Sequence, residues 1–236
     1  TAYYAFGEGR RLFGNTVPSE LPNKTQWTRR RSIGVAGLIT PWNFPMAIPT
    51  WKTFPALLSG NTVVFKPASD TPATGTLFVE LLLEAGVPPE AINIVHGGGS
   101  SVGTAIVEHD DIDLISFTGS SEVGRIINGK AGAGLKRVSL EMGGKNAQIV
   151  MDDANLELAL DGVLWGAFGT TGQRCTATSR LILHEDIHDE FVDMVIREAK
   201  ELKLGDGLDE TVDVGPVINE GAREKIHKYV EIGQKE

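Results

Sequence analysis

The chain contains a single cysteine, Cys175, in the stretch GTTGQRCTATSR (169–180). Glycines, hydroxyl residues, a glutamine and an arginine surround this thiol, whereas a core strand or helix would supply Val, Leu or Ile. A free cysteine is most often a small buried apolar residue, and only its thiolate is an efficient nucleophile. The local sequence therefore leaves two interpretations open, a buried thiol or a reactive one.

Two further side chains could support chemistry at a carbonyl group. Glu141 follows the apolar run Val-Ser-Leu and precedes Met-Gly-Gly, so we expect it at a strand end, partly desolvated. Desolvation makes a carboxylate a stronger base, which suits a general base. A structural role in a helix cap or a salt bridge would also explain a glutamate at this position. Asn43 lies between two prolines and two aromatics in TPWNFP (40–45). Its amide could donate to an oxyanion, or it could be an ordinary turn residue.

Two glycine-containing stretches are compatible with phosphate binding. FTGSSEVG (117–124) and NIVHGGGSSVG (93–103) each place glycines between a predicted strand and a predicted helix. Exposed backbone N–H groups at such a place suit a pyrophosphate, but neither stretch alone separates a phosphate site from a simple turn. Lys66 stands near the end of the apolar stretch NTVVFKP and is expected to project into the same crevice, although a lysine at a strand end is ordinarily just solvated.

Short apolar strands alternate with helical patterns through the first part of the chain, which predicts parallel βαβ units and an α/β fold. In such a sheet, ligands bind at the carboxyl ends of the strands. The predicted strands are 34–41, 61–67, 91–97, 114–120 and 136–144, and the predicted helices are 46–60, 71–86, 100–109 and 122–132. Segment 14–34 predicts a two-stranded hairpin.

A second unit is predicted to begin near Asn146. Its expected elements are a strand at 146–151, a helix at 155–169, a strand at 179–185 and a helix at 188–202. The predicted domains are therefore 1–145, which includes the hairpin, and 146–236.

Five motifs in this order, TPWNFP, FKPAS, FTGSSEVG, LEMGGKN and GQRCTA, together resemble the aldehyde dehydrogenase superfamily of NAD(P)-dependent enzymes. The resemblance implies a Rossmann-like parallel-sheet cofactor domain followed by the start of an α/β catalytic domain. It also implies that Cys175 is the nucleophile, that Asn43 and the Cys175 backbone N–H stabilise the oxyanion, and that Glu141 is the general base. The product would be a carboxylic acid formed through a thiohemiacetal and a thioester on Cys175.

The same resemblance implies a set of cofactor-binding residues. These are Thr40, Trp42, Lys66, Ala68, Ser69, Gly99, Gly119, Ser120 and Met142. Many NAD-preferring members carry Glu at the position of Ser69. Serine removes the repulsion of a 2′-phosphate, so the expected cofactor is NAD or NADP, with NADP compatible with Ser69.

The motifs around LEMGGKN and GQRCTATSRLILHE are similar to the semialdehyde group of the family. In that group Arg174 is a candidate for binding the substrate carboxylate or for holding the loop through a salt bridge. The hairpin at 14–34 resembles the family's oligomerisation hairpin, which implies a homo-oligomer, either a dimer or a tetramer. Because the chain opens at Thr1 and closes at Glu236 within amphipathic stretches, we expect a fragment that lacks both ends of a full enzyme.

Composition argues against several other classes of function. A net charge of −9 gives no electrostatic reason for a nucleic-acid partner, and no segment has the ~20 apolar residues that span a membrane. One cysteine fits a reducing compartment, so we expect a cytoplasmic protein. No metal site is expected, because the pair His184 and His188 does not have an assured helical spacing. A non-catalytic fragment and a nucleotide-independent cysteine hydrolase are the alternatives to a dehydrogenase.

Overall fold

The computed structural model describes residues 1–236, which form two compact units, Thr1–Met142 and Gly143–Glu236. The first unit is built on a parallel five-stranded sheet, and a separate antiparallel pair forms the predicted hairpin. The strands are β1 (Thr16–Val17), β2 (Gln26–Trp27), β3 (Val35–Ile39), β4 (Thr62–Lys66), β5 (Ile92–Ile94), β6 (Leu114–Gly119) and β7 (Arg137–Met142).

The sheet order is β5-β4-β3-β6-β7, with every neighbouring pair parallel. This is the order of a Rossmann-type sheet, in which the strand order reverses between β3 and β6. The predicted α/β class is confirmed. The order also places the ends of β3, β4 and β6 side by side at the carboxyl edge.

Helices cover both faces of this sheet. They are α2 (Ala47–Leu58), α3 (Pro72–Glu84), α4 (Thr104–Glu108) and α5 (Ser121–Ala133), while α1 (Ala2–Gly9) packs against α2. On one face, Phe65 packs edge-on against Phe78 of α3 with ring centroids 6.2 Å apart. On the other face, Ile115 and Phe117 pack with Ile127 of α5. Burial of these apolar side chains supplies the main stabilisation of the unit.

The helix predicted at 100–109 is shorter than expected. A π-helical turn spans Gly99–Gly103, and α4 begins only at Thr104. Glycine has no Cβ to fix the backbone in the α conformation, so this stretch accommodates the wider turn.

The second unit has a two-stranded parallel sheet and three helices. Its core joins the fully buried Phe191 to Val150, Leu160 and Val163. The elements are β8 (Asn146–Val150), α6 (Leu156–Phe168), β9 (Thr178–Leu183), α7 (His188–Glu201) and α8 (Glu220–Gly233). No helix in either unit has the length and apolar character needed to cross a membrane.

Candidate active site

The turn after β3 brings together three of the predicted residues. Thr40 is buried, and its backbone N–H donates to the carbonyl of Lys66 at 3.2 Å, which joins the ends of β3 and β4. Trp42 and Asn43 follow in the same turn and are half-buried. These three residues therefore lie together at the carboxyl edge of the sheet, as the sequence predicts.

The end of β4 carries a buried cation. Lys66 is only 5% exposed, and its ammonium donates to the Pro67 carbonyl at 3.0 Å. Burial lowers the pKa of Lys66 because the charged form is poorly solvated there. A Cβ built on Gly103 would lie 4.0 Å from the Lys66 Cδ, so the lysine stem runs beside the glycine-rich turn before α4.

Ser69 links the ends of β4 and β5. Its hydroxyl donates to the Gly97 carbonyl at 3.4 Å, and the side chain is exposed. Ala68, next to it, is half-buried. Ser69 thus lies at the rim of the carboxyl edge, where an added acidic group would meet solvent or a ligand.

The end of β6 leads directly into α5. Ser120 is the N-cap of this helix, and its hydroxyl accepts from the Val123 N–H at 3.3 Å. A Cβ on Gly119 would lie 2.5 Å from the Phe117 ring, and one on Gly124 would lie 2.5 Å from the Met142 Sδ. These two glycines therefore have a packing role, and they also leave the N-terminus of α5, with its partial positive charge, close to the sheet.

An apolar cavity of about 370 Å³ lies between α4 and α5. Its lining includes Gly99, Val107, Phe117, Val123 and Ile126. Sequence reasoning selected Gly99 and overlooked the apolar side chains. The sequence did indicate this cavity, because Val123 and Ile126 are apolar residues on the exposed part of an amphipathic helix.

Glu141 lies near the end of β7 opposite Thr118 in the strand register, with Met142 as the last residue of the strand. Both side chains are exposed. The expectation that Glu141 is partly desolvated is therefore wrong for this structure, because β7 is the edge strand of the sheet and the Glu141 side chain is exposed.

Lys52, in α2, is a neighbour of Glu141 that sequence reasoning missed. Its ammonium donates to the Ser116 hydroxyl at 2.8 Å. Burial lowers the pKa of Lys52 to about 8, and the charge of Glu141 partly opposes this change. The available signal was that Lys52 is the only charged residue in the apolar stretch MAIPTWKTFPALLSG (46–60).

Cys175 belongs to the second unit, and its side chain is exposed. The interpretation of this residue as a buried apolar thiol is therefore wrong. The Asn146 amide donates to the carbonyl of Cys175 at 2.7 Å and to that of Ala177 at 3.1 Å. The backbone next to the thiol is fixed from the start of β8, while the sulfur itself is accessible.

Arg174 is held by the end of α6. Its guanidinium donates to the carbonyls of Trp165 at 2.6 Å and Gly166 at 3.1 Å, and it lies 3.9 Å from the centroid of the Trp165 ring. These contacts pair a cation with the negative end of a helix and with an aromatic face. The anticipated loop-holding role is present, although carbonyl groups rather than a carboxylate are the partners.

The structure also groups His184 with Asp152 and Asp186, whose ligand atoms all lie within 4.8 Å of one another. His188 instead pairs with Asp189 at 2.8 Å. Both carboxylates of the group are exposed. Exposed acidic side chains are common without a metal, so this group is not assigned as a metal centre.

Comparison with known proteins places these features in one family. The aldehyde dehydrogenase family model matches residues 1–236. An alpha-ketoglutaric semialdehyde dehydrogenase of Bacillus subtilis is 46% identical over 234 residues, which cover 99% of this chain and 48% of that protein. The chain thus spans about half the length of this relative.

Solved structures agree with the family match. A betaine aldehyde dehydrogenase from Staphylococcus aureus in complex with NAD+ has a TM-score of 0.95 and 38% identity, covering 98% of this chain and 46% of that one. An E. coli NADP-dependent enzyme has a TM-score of 0.93 and 38% identity, covering 97% of this chain and 47% of that one. The strand-end residues of the first unit and the cysteine loop of the second thus occur in a chain that belongs to the aldehyde dehydrogenase family.

Proposed function

We propose that this chain is part of an NAD(P)-dependent aldehyde dehydrogenase that oxidises an acidic semialdehyde to the carboxylic acid. In this proposal, residues 1–145 form the cofactor-binding domain, and residues 146–236 form the N-terminal part of the catalytic domain. The observation that carries the proposal is the exposed thiol of Cys175 on a loop whose backbone is fixed by Asn146. An accessible thiol on a rigid support is what nucleophilic catalysis requires.

The residues of the first unit fit a dinucleotide. The apolar cavity between α4 and α5 suits an adenine ring, and the N-terminus of α5 behind Gly119 and Ser120 suits the pyrophosphate. Lys66 at the end of β4 is suited to the adenosine ribose. When bound, the cofactor accepts the two electrons of the oxidation as a hydride. Thr40, Trp42, Ala68, Gly99 and Met142 complete the proposed cofactor site.

The choice between NAD and NADP depends on the rim of this site. Ser69 carries no charge, so nothing at this position repels a 2′-phosphate, and Lys66 is a nearby cation. The similar structures include both an NAD+ complex and an NADP-dependent enzyme. Both nucleotides remain compatible with the residues, and Ser69 favours NADP.

The chemistry at carbon is assigned to three side chains. The Cys175 thiolate attacks the aldehyde carbon, and the Asn43 amide with the Cys175 N–H stabilises the resulting oxyanion. Oxidation leaves a thioester on the cysteine sulfur. Glu141 then takes a proton from a water molecule as that water attacks the thioester carbonyl. Release of the acid restores the thiol.

Similarity to the semialdehyde dehydrogenase of Bacillus subtilis supports the proposed substrate class. A far carboxylate on the substrate needs a cationic or hydroxyl partner. The guanidinium of Arg174 already bonds two carbonyls of α6, which supports its role in holding the loop over a role in binding substrate.

The hairpin of β1 and β2 supports a proposed homo-oligomer, either a dimer or a tetramer. All four strand residues are exposed, and the Trp27 side chain is 65% exposed. An isolated two-stranded hairpin with an exposed aromatic residue is marginal in water and is stabilised by packing against a partner. A reducing compartment such as the cytoplasm would keep the proposed nucleophile in its thiol form.

An activity assay on the full-length protein tests this function against its alternatives. An aldehyde panel that includes acidic semialdehydes is assayed with NAD+, with NADP+ and without nucleotide, using wild type and Cys175→Ala. We expect nucleotide-dependent oxidation that Cys175→Ala abolishes while nucleotide binding is retained. Hydrolysis of an ester probe without nucleotide, by a protein that oxidises no aldehyde, would indicate a cysteine hydrolase, and no turnover of either kind would indicate a non-catalytic protein.

A further inference from the structure

The loop that carries Cys175 begins in a backbone conformation that its residues disfavour. Thr170 has φ 54° and ψ 34°, Thr171 has φ 58° and ψ 27°, and Gly172 follows with φ 66°. A β-branched residue in this left-handed region is an outlier, because its Cβ crowds the following carbonyl oxygen. Two successive threonines therefore need other contacts to keep them there.

Those contacts come from a segment that lies more than forty residues further along the chain. The Thr171 hydroxyl donates to the Gly215 carbonyl at 3.1 Å. The Gln173 Oε1 accepts from the Ile218 N–H at 3.0 Å. Both side chains are half-buried. We name this pair of hydrogen bonds the 215–218 clamp.

The clamp acts on the N-terminal side of the thiol, whereas Asn146 acts on its C-terminal side. Gln173 is two residues before Cys175, and the Asn146 amide binds the Cys175 carbonyl itself at 2.7 Å. The backbone on either side of the sulfur is thus anchored to different elements, while the sulfur stays exposed. A thiol held in this way points in a defined direction toward its substrate.

We propose that Thr171 and Gln173 are positioning residues for the Cys175 thiol. The 215–218 clamp offsets the left-handed strain of the loop and fixes the direction from which the sulfur reaches the aldehyde carbon. The proposal rests on the proposed function, in which Cys175 is the nucleophile. Attack on a bound aldehyde requires the sulfur to point at a carbonyl that is held in place, whereas a small, freely diffusing alkylating reagent can orient itself to meet the sulfur. Loss of the clamp should therefore affect these two reactions differently.

The test uses the full-length enzyme and three variants. Thr171→Val removes the hydroxyl with little change in shape, Thr171→Ser retains it, and Gln173→Met removes the acceptor at similar length. Aldehyde oxidation is measured with NAD+ and NADP+. Alkylation of Cys175 by iodoacetamide is followed on its own peptide by mass spectrometry, and exchange of the Ile218 amide hydrogen reports on the clamp directly.

We expect kcat/KM for the aldehyde to fall about 10- to 100-fold in Thr171→Val and Gln173→Met, as misplacement of a reacting group does. Thr171→Ser should restore most of the activity. The alkylation rate of Cys175 should not fall, and the Ile218 amide should exchange faster in Gln173→Met. Gln173→Met removes the hydrogen bond to Ile218 and leaves that of Thr171 intact. It therefore tests the proposal even if Thr171→Val does not fold.

The proposal is overturned if Thr171→Val and Gln173→Met oxidise aldehyde at the wild-type rate. It is also overturned if alkylation falls in parallel with turnover in variants whose circular dichroism matches the wild type, because that result indicates lost reactivity of the thiol rather than lost orientation. Failure of the proposed function gives a different result, namely dehydrogenase activity that survives Cys175→Ala.

Discussion

The side-chain amide of Asn146 donates to the backbone carbonyl of Cys175 at 2.7 Å, and this bond fixes the proposed nucleophile to the first residue of β8. The same amide reaches the Ala177 carbonyl at 3.1 Å. One side chain at the start of β8 therefore holds the backbone at Cys175 and at the second residue after it.

Replacement of Asn146 by alanine should lower both the free energy of unfolding and kcat/KM. Loss of the two hydrogen bonds is expected to cost about 1–2 kcal/mol of the free energy of unfolding. Release of the loop should lower kcat/KM by about tenfold or more. Denaturant unfolding and steady-state kinetics on the full-length protein measure the two effects.

Asn155→Ala is the matched control for that experiment. Asn155 is the N-cap of α6, and its Oδ1 accepts from the Leu158 N–H at 3.1 Å. Loss of an N-cap also costs about 1 kcal/mol, but it leaves the cysteine loop untouched. Equal losses of activity in the two variants would show that Asn146 has no special relation to the thiol.

The buried ammonium of Lys52 should make stability depend on pH. Burial lowers the pKa of Lys52 from 10.5 to about 8, so between these values the unfolded chain binds more protons than the folded chain. The free energy of unfolding should therefore rise as the pH increases from 8 toward 10.5, and this contribution is lost as the pH falls through 8.

Lys52→Met should flatten this rise, as measured by denaturant unfolding at several pH values from 7 to about 10. The pKa of Lys66 is also lowered by burial, so part of the rise should persist in the variant. An unchanged slope after removal of Lys52 would contradict the assignment of its charge to a buried position.

Cofactor selection should respond to charge at position 69. Ser69→Glu should raise the KM for NADP+ by about tenfold or more, equivalent to ~1.4 kcal/mol of repulsion of the 2′-phosphate. The KM for NAD+ should stay constant or fall. Ser69→Gln has the same shape without the charge and should leave NADP+ use nearly intact. If the two variants behave alike, the effect is steric and the proposed contact is wrong.

Sequence periodicity predicted most of the first unit because its strands are short and apolar and because all its connecting helices except α4 have an ordinary length. Thr40, Lys66 and Gly119 could be located because the carboxyl end of a parallel strand follows directly from the strand itself. Such features depend on local sequence, and β3, β4 and β6 were found where the pattern placed them.

Features that depend on contacts between distant segments were not predictable. Lys52 meets Ser116 across 64 residues, and Gln173 meets Ile218 across 45. The exposure of Glu141 likewise depends on β7 being the edge of the sheet. No periodic pattern encodes these relations, because they arise only after the elements pack together.

A covalent intermediate at Cys175 is the central step of the proposed reaction. Glu141→Gln in the full-length enzyme should still form the thioester but hydrolyse it slowly, because the amide cannot take a proton from water. After mixing with aldehyde and NAD(P)+, mass spectrometry should show an acyl adduct on the Cys175 peptide, together with a burst of reduced nucleotide near one equivalent. Two results for Glu141→Gln would contradict these roles. One is a burst of wild-type size with no adduct on Cys175, and the other is loss of the burst itself.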